Sequence, residues 1–582
     1  MNDSSSFWRS PTLNMRGSKS SRTSRLNRPT ASTVAGRAAG AGAAEFDPEE
    51  VRPATRQETF PVALAAVLLS FIALLLSYSR GYLLLYGDAV AHLGIARRIL
   101  DSRNPGLVQL GGVWLPLPHL LMLPFVQKVE WWQNGLAGAW PSLICYIASV
   151  AGIYRLARWM MIPRWALAAT ALYALNPNLL YLATTAMTEP LFLMLLIWTT
   201  LLTVECVAAI KDSRVSAVQR RLMLLAVFIL AAVFTRYDGW ILGAAVWCVV
   251  MVSLARNREM WRKVASFFVV FTVLVIAGPV SWLAYNQHFF HDPLDFLRGP
   301  YSAAAIEKKT MPPDGHHHRG WHNPVWALVF YMRTAQVDAA FWETGFLLMA
   351  AAVGGLILAV RRRLVLSSLL LWMPLPFYVY SVAYGSVPIF IPQLWPHSYY
   401  NSRYGMELLP ALAIFTFVAV QWMERGWSET QPLAKRLMQP VTLLLIALNT
   451  VGMMYCTPLV LKEALVNSTT RVAFETALAR QLGEFPYGST ILMYNSDHVG
   501  ALQDAGIPLR QTVNEGDYDS FQAALAAPAE HAGYVVAITG DPVAAAVAMH
   551  PQGLNELTIL CTSGQPCARI YKSDRFSVAS PQ

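Results

Sequence analysis

Charged residues stand where long apolar runs stop, and their types could do chemistry. Asp88 lies in YGDAVAHLGIARR, directly after the first such run. On a helix, Asp88, His92, Ile95 and Ile99 share one face, because residues three and four apart are neighbours there. A carboxylate one turn from an imidazole can accept, hold or pass a proton. Glu189 stands in the turn MTEP, and Arg236 and Asp238 stand in TRYDGW. Arg403 and Tyr404 close HSYYNSRYG, again at the edge of an apolar run. A guanidinium pairs best with a carboxylate or a phosphate, through two parallel hydrogen bonds. The set therefore offers proton transfer beside a place for an anion. Each residue also has a plainer reading. Asp88 and His92 can belong to an amphipathic helix lying on lipid, with the imidazole satisfied. Arg236 and Arg403 can snorkel to the interface or form internal ion pairs, Arg236 with Asp238 and Glu189. Glu189 can simply begin a helix, since Glu followed by Pro suits a first turn.

What must position these residues is a bundle of membrane helices. The chain has 582 residues, 55% hydrophobic and only 14% charged, with a mean hydropathy of +0.38. That balance belongs to a polytopic membrane protein and excludes an ordinary soluble enzyme. The net charge of +10 sits in short loops and an N-terminal tail, so it does not point to nucleic acid. Residues 1–59 read as a disordered basic tail on the cytoplasmic side, touching anionic lipid. No signal peptide is legible, because the first apolar run begins near Phe60.

Runs of spanning length follow at about 60–82, 134–154, 165–182, 188–210, 222–236, 239–255, 264–285, 340–360, 364–383, 404–423 and 440–461. The loops between them alternate in charge. Basic clusters occur at Arg155, Arg158 and Arg164, at Lys211 to Arg221, at Arg256 to Lys263, at Arg361 to Arg363, and at Arg425, Lys435 and Arg436. A cytoplasmic N-terminus and about eleven spans put all of them inside. This parity holds only if 114–130 does not cross, and its two early prolines and short apolar length argue that it does not. The 83–133 and 286–339 loops then lie outside, and Asp88, Glu189, Arg236, Asp238 and Arg403 meet one outer face. Ionisable groups there are costly without partners, which marks the face as a candidate site.

Residues 462–582 leave the membrane on that same side. Strands over Ile491–Tyr494 and Tyr534–Ile538 and helices over Phe521–Ala527 and Pro542–His550 predict a small α/β extracytoplasmic domain. Cys561 and Cys567 are spaced for a disulfide on an oxidising face. Cys145, Cys206, Cys248 and Cys456 lie in or near apolar runs and read as inert. His316, His317, His318 and His322 fall in the 286–339 loop with Lys308 and Lys309. Consecutive histidines give a poor tetrahedral shell, so a mobile loop over a cleft is preferred to a metal site. No metal ligand is assigned, and a divalent metal is left open as cofactor.

In this order on one face, the motifs resemble those of the GT-C glycosyltransferases, and among them the protein O-mannosyltransferases and lipid A aminoarabinose transferases. The likeness spans roughly residues 60–423. It rests on Asp88 at the start of the first outer loop, the amphipathic helix after it, and the return through Trp114, Pro116 and Pro118. Glu189–Pro190 and Arg403–Tyr404 complete it. The resemblance implies transfer of a sugar from a polyprenyl-phosphate donor to a protein, lipid or glycan acceptor. It assigns Asp88 as general base, with His92 and Glu189 as further catalytic residues. Trp114, His119, Arg236, Asp238, Arg403 and Tyr404 are expected to bind substrate, the arginines holding the phosphate. Two departures matter. Ala89 stands where the family often has a second acidic residue, and WLPLPH lacks the Lys often used for the carrier phosphate. Something else must hold that phosphate, and metal dependence does not carry over.

The competing readings are a transporter or flippase of lipid-linked sugars and a non-catalytic envelope assembly protein. Transporters usually show internal repeats and polar groups near mid-membrane, whereas here the ionisable groups gather at one face. The expectation is thus a mainly α, multi-pass plasma-membrane protein with its N-terminus inside and its C-terminal α/β domain outside. A cysteine introduced just after residue 470 should be labelled by an impermeant reagent in intact cells. Protection there, with labelling only after lysis, would shift the span count by one.

Overall fold

The computed structural model describes residues 51–310, 315, 317–427 and 432–576. The expected tail up to residue 50, and His316, lie outside the described residues. Helix α1 (Arg56–Ser79) begins at a capping box, in which Thr55 and Glu58 satisfy each other's backbone N–H groups. It carries the chain to helix α2 (Gly87–Arg98), which opens with Asp88 in its first turn. Helix α3 (Leu117–Val126) has ten residues and prolines on either side of Leu117. At 1.5 Å per residue it covers about half the ~30 Å hydrocarbon core, so it cannot cross.

Among the described residues, ten helices are long and apolar enough to cross a membrane by length and composition. The chain is a multi-pass membrane protein, mainly helical, with a small C-terminal sheet. The run expected to span at 165–182 is two helices in succession, Pro163–Ala174 and Pro177–Leu182, neither long enough to cross alone. The break has a local cause. Pro177 lacks an N–H, and the Asn176 side chain accepts from the N–H groups of Asn178 and Leu179, which starts a new helix. After the last long apolar helix, Pro432–Tyr455, a short break leads into helix Leu459–Gly483.

The sheet has strands β1 (Ile491–Met493), β2 (Thr512–Val513), β3 (Tyr534–Ile538), β4 (Leu554–Leu560) and β5 (Ala568–Ser573). Their order is β2-β1-β3-β5-β4. The first three run parallel, and β5 and β4 are antiparallel additions. The helices Asp519–Ala526 and Pro542–Met549 fall where the sequence placed them. The disulfide Cys561–Cys567 closes the turn between β4 and β5. Several bonds tie this region to the 83–133 segment. Arg510 Nη1 reaches Asp101 Oδ1 at 2.9 Å, and Gln109 Nε2 donates to the Gly516 carbonyl at 2.9 Å. Gln503 donates to the Trp132 carbonyl.

Close approach of membrane helices depends on small residues. A methyl group at Gly355, on helix Thr344–Arg361, would lie 1.8 Å from the Phe415 carbonyl oxygen on the facing helix, whereas one at Gly354 would meet nothing within 4 Å. Gly355→Ala should therefore lower thermal stability in detergent, by about 1–3 kcal/mol for overpacking. Gly354→Ala, which gains helix propensity without a clash, should be neutral or stabilising.

Candidate active site

Arg403 lies in a 3-10 turn, Ser402–Leu408, that begins directly after Asn401 in a left-handed conformation. The turn buries the guanidinium among three carboxylates from distant parts of the chain. Nη2 is 2.5 Å from Asp88 Oδ2, Nε is 3.0 Å from Glu189 Oε1, and Nη1 is 3.4 Å from Glu463 Oε1. The rings of Tyr86 and Tyr404 lie 5.2 and 5.0 Å away, within cation–π range. Glu463 is itself fixed by the backbone N–H groups of Asn401 and Ser402 at 3.1 and 2.7 Å, and by the Ser402 hydroxyl.

Arg236 makes a second centre beside the first. Its Nε is 3.2 Å from Asp238 Oδ2, and Nη1 donates to Thr188 Oγ1 at 2.9 Å. Nη2 donates to the Tyr378 hydroxyl at 2.6 Å and lies 3.2 Å from Glu407 Oε1. Tyr378 in turn donates to Glu407 at 2.7 Å. Glu189 Oε1 also lies 3.5 Å from Arg236 Nη1, so this carboxylate joins the two guanidinium groups. Tyr404 faces both arginines. Glu189 thus does begin a helix, as its plainer reading had it, and is an ion-pair partner as well.

Exposure separates the five carboxylates. The Asp88 side chain is 43% exposed, against 1% for Glu189, 3% for Asp238, 0% for Glu407 and 2% for Glu463. Only Asp88, of these five, can meet a molecule arriving from solvent without first moving the protein.

His92, Trp114 and His119 form a different cluster, between α2 and α3. His92 Nδ1 and His119 Nε2 are 2.8 Å apart, and the Trp114 ring lies 4.3 Å from that of His92. Both imidazoles are buried. Burial pushes His92 down to about 4, although the Asp88 and Glu189 carboxylates oppose it. Burial, then the neighbouring His92, holds His119 well below its ordinary range too. At neutral pH both are uncharged, and one ring donates to the other. Their geometry fixes the helix that carries Asp88.

The structure therefore brings Asp88, Glu189, Arg236, Asp238, Arg403 and Tyr404 together, and sets His92, Trp114 and His119 beside them as a separate group. Sequence reasoning missed Glu407, Glu463, Tyr378 and Thr188. Glu407 carried a signal, being an acidic residue inside an apolar run. In the 286–339 loop, His317 and His318 face Glu307 at 3.6 and 3.9 Å. Among the described residues, no group of three or more His, Cys, Asp or Glu side chains is placed to hold a metal ion.

The histidine pair makes stability depend on pH. His92 titrates near 6.5 when unfolded and near 4 when folded, so the unfolded chain binds the extra proton between those values. Its contribution is complete above about pH 6.5 and is lost as pH falls towards 4, by up to about 3 kcal/mol at 1.36 kcal/mol per unit. Thermal unfolding in detergent should show this loss in the parent, and His92→Gln should flatten that part of the profile.

A family model described as dolichyl-phosphate-mannose-protein mannosyltransferase matches residues 118–282. No curated protein sequence matches the chain. ArnT from Cupriavidus metallidurans, in a crystal structure bound to undecaprenyl phosphate, superposes with a TM-score of 0.55 at 14% identity. That match covers 91% of this chain and 100% of ArnT. Its apo structure gives 0.53 at 16% identity, covering 90% and 99%. The oligosaccharyltransferase AglB from Archaeoglobus fulgidus gives 0.47 at 10% identity, covering 89% of this chain and 74% of AglB. The chain has the fold of ArnT.

Proposed function

We propose that this protein transfers a sugar from a polyprenyl-phosphate donor to an acceptor hydroxyl on the extracytoplasmic face of the membrane. The observation that carries the reading is the state of Asp88: an open carboxylate, fixed by a buried arginine, at one end of a helix bundle with the fold of ArnT. The family match and the undecaprenyl phosphate bound to ArnT support the donor class.

In this mechanism the acceptor hydroxyl gives its proton to Asp88 as its oxygen attacks the anomeric carbon. The bond from that carbon to the carrier phosphate breaks, and the phosphate oxygen keeps the electron pair. Arg403 holds Asp88 Oδ2, which leaves Oδ1 to take the proton. Arg236 and Arg403 supply the positive charge against which the phosphate departs. Glu189, between them, holds both guanidinium groups in place. His92 and His119 act at one remove, by setting the position of α2, and Trp114 packs against His92.

Asp88→Asn keeps size and removes the basic oxygen. Turnover should fall about 10²–10⁴-fold, with donor binding little changed. Mass spectrometry of cell-envelope lipids, glycans and glycoproteins should show the same product missing from cells lacking the protein and from cells carrying Asp88→Asn. Wild-type product levels with Asp88→Asn would remove Asp88 as the base. Products unaltered by loss of the whole protein would favour a transporter or an assembly role.

A further inference from the structure

HSYYNSRYG places Tyr400 three residues before Arg403. The backbone between them is pinned at each step. The Tyr400 N–H donates to the Phe390 carbonyl at 3.0 Å, and the Phe390 N–H donates to the Tyr400 carbonyl at 2.9 Å. The Asn467 side chain donates to the Tyr399 carbonyl at 3.1 Å. Glu463 takes the N–H groups of Asn401 and Ser402. Phe390 also supports the Tyr400 ring, with centroids 6.2 Å apart. Tyr400 therefore keeps a fixed place relative to Asp88, which Arg403 holds at 2.5 Å.

The Asp88 charge is felt by His92, Tyr400, Arg403, Tyr404 and Glu463. His92, Arg403 and Glu463 are buried and Tyr404 is half-buried. Of these groups only Tyr400 is exposed, at 40%. Its hydroxyl has no hydrogen-bond partner among the described residues. Burial first, then the Asp88 carboxylate, pushes that hydroxyl up to about 12. It keeps its proton at neutral pH and can donate. This end of the bundle thus presents two complementary open groups: Asp88, which accepts, and Tyr400, which donates.

The arginines cannot serve as that donor in the resting state. Each guanidinium nitrogen of Arg403 and of Arg236 already faces a carboxylate or a hydroxyl. A sugar reacting at Asp88 presents hydroxyl oxygens, which need donors, and C–H faces, which lie well against an aromatic ring. A phenol supplies both. An acyl chain would use the ring and leave the hydroxyl idle. A free anion would be repelled by the Asp88 charge. A tyrosine of an interfacial belt also joins a ring to a wet hydroxyl. A belt, however, requires neither the bridge to Phe390 nor an acidic neighbour.

We infer that Tyr400 seats the sugar that is transferred, its ring against one face of the sugar and its hydroxyl donating to a sugar oxygen. The inference rests on the transfer reading above and adds to it the residue that binds the sugar. Tyr400 touches substrate and exchanges no proton. The acceptor proton still goes to Asp88.

The test uses the purified full-length protein in detergent. The donor is the lipid extract of cells lacking the protein, which retains unused donor, and the acceptor is the delipidated envelope of the same cells. Transfer is read by mass spectrometry as the extract is diluted, which gives an apparent KM. Tyr400→Phe keeps the ring and should raise that KM about three- to tenfold, as loss of one hydrogen bond does, with kcat within about twofold of the parent. Tyr400→Ala loses the ring as well, and its KM should rise about ten- to hundredfold. A contact made equally in ground and transition states moves KM alone, whereas a merely structural role would move the unfolding temperature. Parental KM in both variants overturns the role of Tyr400 and leaves the transfer reading standing. A fall in kcat at unchanged KM overturns the sugar contact. A raised KM only in Tyr400→Ala, with a lowered unfolding temperature, overturns it as well. Asp88→Asn should lower kcat at unchanged KM, so failure of the base assignment is read separately. If the parent transfers nothing from the extract, the transfer reading fails and this inference falls with it.

Discussion

One buried guanidinium organises this molecule. Arg403 holds Asp88 from the segment after the first membrane helix, Glu189 from a later helix start, and Glu463 from the start of helix Leu459–Gly483. A buried charge stripped of its partner costs about 3–5 kcal/mol, and three carboxylates share this one. The three segments are separated by up to 375 positions in the sequence (88 to 463), yet each must end at the same depth and on the same side. Few other arrangements of the spans would satisfy that demand.

The second centre extends the constraint. Glu189 Oε1 faces both Arg403 and Arg236, and Arg236 brings in Thr188, Asp238, Tyr378 and Glu407. The result is five carboxylates around two guanidinium groups, in which Glu189 Oε2, Asp238 Oδ1 and Glu407 Oε2 are buried without a hydrogen-bond partner. Asp88 differs from these in exposure, being supported from behind and open in front.

Much of this was legible in sequence, for a definite reason. Loop basicity fixes which span ends share a face, so Asp88, Glu189, Arg236, Asp238 and Arg403 could be grouped before any contact was known. Pairing partners were harder. Glu407 is hidden inside an apolar run, and Glu463 falls just past the last expected span, where it reads as an ordinary charged residue. His92 and His119 were seen, but spacing cannot show that two imidazoles 27 positions apart bond each other. The Asn176–Pro177 break inside the run at 165–182 was not visible, because hydropathy averages over it. In the sheet, β1 and β3 were visible as short buried apolar runs. β4 is an edge strand with most side chains outward, and β2 has only two residues, so neither leaves a pattern to read.

Helix Leu459–Gly483 joins two of these features. Near its start, Glu463 reaches Arg403 and, through it, Asp88. Two turns later, Arg471 donates to the Leu84 and Leu85 carbonyls at 3.0 Å each, gripping the chain just before α2 begins. Beyond its end the chain enters β1 of the sheet. A single stiff rod thus holds the carboxylate at the mouth from two directions and also leads into the C-terminal sheet. A load applied to the sheet would reach Asp88 through that rod, so the exposure of Asp88 and the tilt of the sheet form one mechanical coordinate.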